Sequence, residues 1–310
     1  MKKIKMKTNG TIAEHFEAFL LSRQAGGVTV KTLTTYRQHL SAISKFLDTQ
    51  MELGDLTKSV LDKMIVDMRN SELSHNSISS YSITLKAFLN WCNAEGLTDV
   101  SMKLYKRQET LKETYSDREL KALLKKPDMK KCNFSEYRNW VIVNFLLNSG
   151  CRAATLRNIR MEDVDLDNRL VYYRHTKNKK PQVIPLCGVM VGILKEYQHI
   201  RKGNKGDYFF PNDTGEQLTE NGLRCTIARY NQARGVEKTS IHLFRHTFAR
   251  KYLVDCGGNA FTLQKLLGHS TLDMTKHYCA IFDADIVKNY DQFSPLEQLS
   301  TKRTSIRMKK

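Results

Sequence analysis

The chain has 310 residues, 41% of them hydrophobic, and carries 50 Lys and Arg against 32 Asp and Glu, for a formal net charge of +18 and a pI near 9.5. That apolar content with only 5 prolines excludes wholesale disorder, and the length suggests two domains. The charge calls for a polyanionic partner, the short apolar runs exclude a membrane span, and seven widely spaced cysteines without a Cys-x-x-Cys pair exclude a disulfide framework or zinc knuckle.

The N-terminal MKKIKMKTNG is basic and leads into TIAEHFEAFL, where Glu14 and Glu17 interrupt the plain apolar block that a secretory signal needs, so a cytoplasmic protein is expected. Thr11 followed by Glu14 has capping-box spacing and opens a helix with Phe16, Phe19 and Leu20 on one side. After the Gly26-Gly27 break, Leu33, Tyr36, Leu40, Ile43 and Leu47 recur every three or four residues and predict a second helix. A third fits Val60, Leu61, Met64, Ile65 and Met68. The fourth fits Ile78, Tyr81, Leu85, Phe88, Leu89 and Cys92, entered through Ser74-His75-Asn76-Ser77 and ended near Gly96. The outward polar positions Lys31, Thr34, Thr35, Arg37, Ser79, Ser80 and Lys86 suit either a DNA backbone or a solvated face.

Residues 102–114 lack apolar periodicity, as expected of an interdomain connection. A second capping box, Ser116 with Glu119, restarts helix formation into Leu120, Leu123 and Leu124. A buried helix is predicted from Trp140 to Asn148, stopped by Gly150, and a short one from Arg152 to Ile159. Residues 170–174 and 182–186 then flank the basic turn Lys177-Asn178-Lys179-Lys180 and predict a β-hairpin with lysines near its tip. Helices are expected again near 188–200, 219–233, 242–255, 260–267 and 271–280, and one more amphipathic segment over Ile281, Ile286, Val287 and Tyr290. The chain is therefore expected to be mainly α with a small β-hairpin or sheet. It divides into an α-helical domain over 1–106, a linker over 107–115, a mixed α+β domain over 116–295 and a basic tail over 296–310. Up to residue 110 there are 15 Lys and Arg against 11 Asp and Glu, and beyond it 35 against 21, so +14 of the +18 belongs to the second part. If phosphate is the partner, that part grips it hardest, with steep salt dependence.

The chemistry is concentrated in a few segments. His242 and Arg245 lie three apart at the start of a predicted helix, sharing a face near its positive end, while Leu243 and Phe244 turn inward. Further on, Leu266-Leu267-Gly268-His269-Ser270 places His269 on a tight turn between two helices, with Tyr278 about two helical turns beyond. Upstream, Gly150-Cys151-Arg152 sets an arginine just after a helix break.

In this order, with a basic hairpin between the first arginine and the His-x-x-Arg pair, these residues resemble the tyrosine recombinase (phage integrase) family. The resemblance spans about 115–295 by motif, and the helical N-terminal part is similar to the family's core-binding, SAM-like domain in size and character. It implies a site-specific DNA recombinase or integrase that cuts and rejoins duplex DNA through a 3′-phosphotyrosine, without ATP, metal or other cofactor. By the resemblance Tyr278 is the nucleophile. Arg152 and Arg245 clamp the nonbridging oxygens, His242 assists proton removal, His269 hydrogen-bonds the phosphate, and the hairpin lysine protonates the departing 5′ oxygen. Lys177 is preferred for that last role over Lys179 and Lys180.

One departure is Thr155, where the family commonly has a glutamate that helps orient the site. The resemblance further implies a homo-tetramer on two recombination sites, coupled through the C-terminal segment, with DNA-bending accessory proteins as further partners and a nucleoid location. Two other readings fit the same fold: a noncatalytic architectural DNA-binding protein, against which the full residue set argues, and a type IB topoisomerase-like strand transferase, against which the two-domain layout argues.

Overall fold

The computed structural model describes residues 10–105, 113–176, 180–271 and 275, and its contacts divide the chain into two units, Met1–Thr110 and Leu111–Lys310. In the first, four helices follow one another: α1 (Ile12–Ala25), α2 (Val30–Ile43), α3 (Lys58–Asn70) and α4 (His75–Ala94). Each begins on a Ser or Thr whose hydroxyl accepts from a main-chain N–H three residues on, at Thr11, Thr29, Thr57 and Ser74. These caps satisfy donors that the first helical turn leaves without partners. At Thr11 the Glu14 carboxylate also accepts from the Thr11 N–H at 2.8 Å, which completes the capping box.

The core of this unit forms where Phe16 and Phe19 of α1 meet Phe88 of α4, with ring centroids 5.2 and 5.8 Å apart, joined by Leu33, Leu61, Met64 and Leu85. The helix predicted to run through Leu47 ends at Ile43, and Leu47 reaches the core from the turn after it. Lys31, Thr34, Arg37 and Ser80 are exposed, with Arg37 ion-paired to Glu17 at 3.2 Å.

The second unit is mixed, with α5 (Asp117–Leu124), α6 (Phe134–Ser149), α7 (Ala153–Asn158), β1 (Val164–Asp165), β2 (Leu170–Tyr173), β3 (Gln182–Pro185), α8 (Gly188–Arg201), α9 (Glu220–Gln232), α10 (Ile241–Arg250) and α11 (Ala260–Leu267). The strands form one antiparallel sheet in the order β1-β2-β3, with Tyr173 opposite Gln182 and Val171 opposite Ile184. Val171, Tyr173 and Ile184 face the core, and Tyr172 and Val183 face outward. The fold is thus mainly α with a small sheet.

In this unit a strand and two helix boundaries differ from expectation. β1 is two residues long, too short to show an alternation, and exists by pairing with β2. α6 starts six residues before Trp140, capped by Asn133. Its first turns bury Arg138 and Asn139, whose partners are distant: the carbonyl of Pro211 at 2.6 Å and the hydroxyl of Thr226 at 2.8 Å. α10 ends at Arg250, and Lys251–Asp255 continue as a wider π-type turn. The helix expected over 271–280 falls outside the described residues apart from 271 and 275, as do Tyr278, the amphipathic segment after it and the basic tail.

α6, buried through Trp140, Val141, Ile142, Val143, Phe145 and Leu146, is the central rod, and α10 packs along it. No helix among the described residues is long and apolar enough to cross a membrane. Six cysteines are described and all are free thiols. Burial pushes Cys92 up to about 12 and Cys151 up to about 11, which keeps both protonated at neutral pH.

Candidate active site

The site grows from the ends of three helices. α6 stops at Gly150, which adopts the left-handed conformation (φ 58°) and returns its N–H to the Leu146 carbonyl. A side chain there is excluded by space as well as by φ, since a Cβ would fall 2.4 Å from Phe248 and 2.9 Å from Leu267. The bare turn therefore lets α10 and the end of α11 approach α6 closely. Two residues later Arg152 sits at the N-cap of α7.

On α10, Ile241 and Phe244 are buried, which sets the helix rotation and carries Arg245 inward to 5% exposure. A buried guanidinium needs acceptors, because desolvating an unpaired charge is costly. Arg245 finds three: Nη1 donates to the Gly150 carbonyl at 2.9 Å, and Nη2 donates to the Leu267 carbonyl at 2.9 Å and to His269 Nε2 at 2.8 Å. None of these is a carboxylate, and among the described residues no carboxylate pairs with it. Burial also holds the nearby Cys151 thiol and Tyr173 phenol in their neutral forms.

α11 explains why the Leu267 carbonyl is available. The helix ends on Gly268 (φ 62°), whose N–H bonds back to Gln264 and Lys265, and the N–H of His269 also bonds to Gln264. The last carbonyls of a helix lack intrahelical partners and carry its partial negative charge. That of Leu267 takes hydrogen bonds from two arginines, Arg245 and, at 3.3 Å, Arg152 Nη1. His269 follows directly, 9% exposed, with Nδ1 2.8 Å from the hydroxyl of Thr275.

An open cleft of about 380 Å³ lies over this floor, lined by Arg152, Lys180, Lys265, His269 and Ser270 among others, with no acidic side chain among the described residues of its wall. Gln182 of β3 crosses its edge, its amide donating to the Lys265 carbonyl at 2.7 Å and lying where a Cβ on residue 268 would fall. Thr176 donates to the Lys180 carbonyl at 2.7 Å and closes the base of the hairpin turn. A larger hollow of about 900 Å³ lies between β1 and α8, rimmed by Glu162, Asp165, Asp167 and Lys195. It contains none of the expected site residues, and its mixed charge suits a polyanion poorly.

Of the six residues expected from the sequence, Arg152 and Arg245 meet on the Leu267 carbonyl, and His269 joins them through Arg245 Nη2. His242 is exposed on α10, three residues before Arg245. Lys177 and Tyr278 fall outside the described residues, as do Lys179 and Cys279. Thr155, at the position where an acid was the usual residue, is buried in α7. Three participants carried no signal in the sequence: the Leu267 carbonyl, which is a main-chain atom, Gln182, which reads as an ordinary strand residue, and Thr275. No group of three His, Cys, Asp or Glu among the described residues is arranged to hold a metal ion.

Comparison with known proteins gives consistent results for both units. Residues 114–284 match the model of the phage integrase family, and residues 13–96 match that of the phage integrase N-terminal SAM-like domain. The chain is 27% identical over 300 residues to tyrosine recombinase XerA of Thermococcus kodakarensis, covering 95% of this chain and 99% of that protein. It is 25% identical over 297 residues to tyrosine recombinase XerD of Staphylococcus haemolyticus, covering 92% and 99%. Its fold resembles the Tn1549 transposon integrase in complex with transposon right end DNA, with a TM-score of 0.74 at 17% identity, covering 92% and 99% of the two chains. A lambda integrase dimer bound to a COC′ core site aligns with a TM-score of 0.71 at 19% identity, covering 87% and 95%.

Proposed function

The chain belongs to the phage integrase family, and from that premise we propose that it is a site-specific DNA recombinase acting on duplex DNA through a covalent tyrosyl intermediate. The observation that carries this reading is the convergence of Arg152 and Arg245 on one carbonyl, with His269 against Arg245, beside a cleft lined by Arg152, Lys180, Lys265 and His269. Such a floor suits a phosphodiester whose nonbridging oxygens gain negative charge as a fifth ligand approaches phosphorus. Two planar guanidiniums, held before substrate arrives, stabilise that charge without reorganising.

In this mechanism the Tyr278 oxygen forms a bond to phosphorus as the bond to the 5′ oxygen breaks. The phenolic proton passes to His242, and Lys177 supplies a proton to the departing 5′ oxygen. When the phosphate binds, the His269 ring takes up a proton at Nε2 and gives that N–H to a nonbridging oxygen in place of its contact with Arg245. A free phenol, with a pKa near 10, is a poor nucleophile at neutral pH, so the neighbouring base and cations are needed. One phosphodiester replaces another, so the 5′ hydroxyl of a second strand reverses the step and rejoins the DNA without ATP. The charges that the reaction requires come from side chains, and the scheme needs no metal.

The wider assembly in this reading is a homo-tetramer holding two sites, aided by DNA-bending proteins. The basic residues outside the cleft supply sequence-independent grip whose strength falls with salt. The test uses a nicked duplex bearing a site that the protein itself has selected from a random-sequence pool. Wild type should yield a covalent protein–DNA adduct on denaturing electrophoresis, and Tyr278→Phe should yield none. Equal adduct from both would remove Tyr278 from its role, and no adduct from either would favour a noncatalytic DNA-binding protein.

A further inference from the structure

We propose that Thr275 is a positioning residue that fixes the proton of His269 on Nδ1 and, through that ring, completes the seat of Arg245. The proposal rests on the site reading above. A guanidinium carries N–H donors and no acceptor, so in the 2.8 Å contact between Arg245 Nη2 and His269 Nε2 the imidazole nitrogen must supply the lone pair. A neutral ring accepting at Nε2 carries its proton on Nδ1. That nitrogen lies 2.8 Å from Thr275 Oγ1, a hydroxyl oxygen able to accept it. The other tautomer, or the imidazolium, would set N–H against N–H at Arg245. The chain of donation therefore runs from Arg245 to His269 to Thr275.

Both contacts are enclosed: His269 is 9% exposed and Thr275 is fully buried. Water cannot readily replace the hydroxyl, so removing it takes from the buried Nδ1–H the acceptor at 2.8 Å. The ring would relieve this by rotating or by moving its proton to Nε2, and either change removes the third acceptor of Arg245. The guanidinium would keep the Gly150 and Leu267 carbonyls but lose its side-chain acceptor. Among the described residues the Thr275 hydroxyl has no hydrogen bond to either arginine, and its link to Arg245 runs through the histidine.

The test compares Thr275→Val, which keeps the branched shape and removes the hydroxyl, with Thr275→Ser, which restores it. Full-length protein labelled with nitrogen-15 at histidine reports the tautomer by two-bond nitrogen–proton spectra, the His269 ring being assigned by its loss in His269→Gln. Wild type and Thr275→Ser should show His269 neutral and protonated on Nδ1, and Thr275→Val should lose that pattern. On the selected nicked duplex, Thr275→Val should form adduct about tenfold more slowly, the effect expected of one unmet buried hydrogen-bonding group, with noncovalent binding unchanged and the rate recovered in Thr275→Ser. A wild-type His269 protonated on Nε2 would overturn the proposal, as would a Thr275→Val protein with the wild-type tautomer and rate. If wild type forms no adduct, the tautomer spectra still decide the role of Thr275, and the recombinase reading fails separately.

Discussion

Arg152 and Arg245 share a single acceptor, the main-chain oxygen of Leu267, at 3.3 and 2.9 Å. Two like charges brought this close repel, and the negative end of α11, to which both donate, offsets part of that repulsion. An incoming phosphate would find the pair already assembled. The cost of gathering the cations is met by folding of the second unit, before any reaction begins.

Arg245→Lys tests how much of this depends on the planar fork. An ammonium keeps the charge but cannot reach the Gly150 carbonyl, the Leu267 carbonyl and His269 together from two nitrogens, as the guanidinium does. Adduct formation on a nicked duplex should fall by about 100- to 1,000-fold, the range for losing one preorganised charge-stabilising group, while duplex binding changes little. Single-turnover rates beside filter-binding affinities make the measurement. An equal fall in both would show that Arg245 serves binding and not the chemical step.

Gly150→Ala should destabilise the second unit through two separate effects. The left-handed φ of 58° costs an L-residue about 1–2 kcal/mol, and forcing a Cβ to within 2.4 Å of Phe248 adds about 1–3 kcal/mol of overpacking. Gly96 is the control, since it has φ 72° but nothing within 4 Å of an added Cβ. Gly96→Ala should therefore show the backbone cost alone. Urea melts of the two variants measure the difference, and equal losses would mean that the contact with Phe248 relaxes freely.

The second capping box should leave an acid signature in stability. Partial burial raises the pKa of Glu119, but the main-chain N–H and hydroxyl of Ser116 and the ammonium of Lys238, 3.2 Å away, outweigh it, and the net shift is downward. A carboxylate with a lowered folded-state pKa contributes stability above its ordinary value of about 4.5 and loses it as pH falls through the lowered one. Glu119→Gln should thus melt earlier than wild type at neutral pH, with the gap closing on acidification. A gap of constant size across the series would show that the charge of Glu119 contributes nothing.

How far the sequence foretold the structure depended on the range of the interactions involved. The boxes at Thr11 and Ser116 and the stops at Gly150 and Gly268 are decided within a turn of chain, and each was legible as local chemistry. The start of α6 was not, because Arg138 and Asn139 look like surface residues until Pro211 and Thr226 are folded against them. β1 was hidden because two residues take strand form only through a neighbour. At the site, Arg152, Arg245 and His269 could be chosen as side chains of the right kind in a familiar order. The atom on which the two arginines meet could not be chosen, since a carbonyl oxygen is common to every residue and only the fold singles one out.

That last fact bears on how freely the site can vary. A backbone oxygen survives any change of side chain that leaves the backbone in place, so the identity of residue 267 can drift among apolar types without removing the acceptor. What cannot drift in the same way is its neighbour. Gly268 turns the chain in a conformation that other residues resist, in a space that Gln182 fills, and so keeps the end of α11 open toward the arginines. The heritable address of this acceptor is thus one residue away from the atom itself.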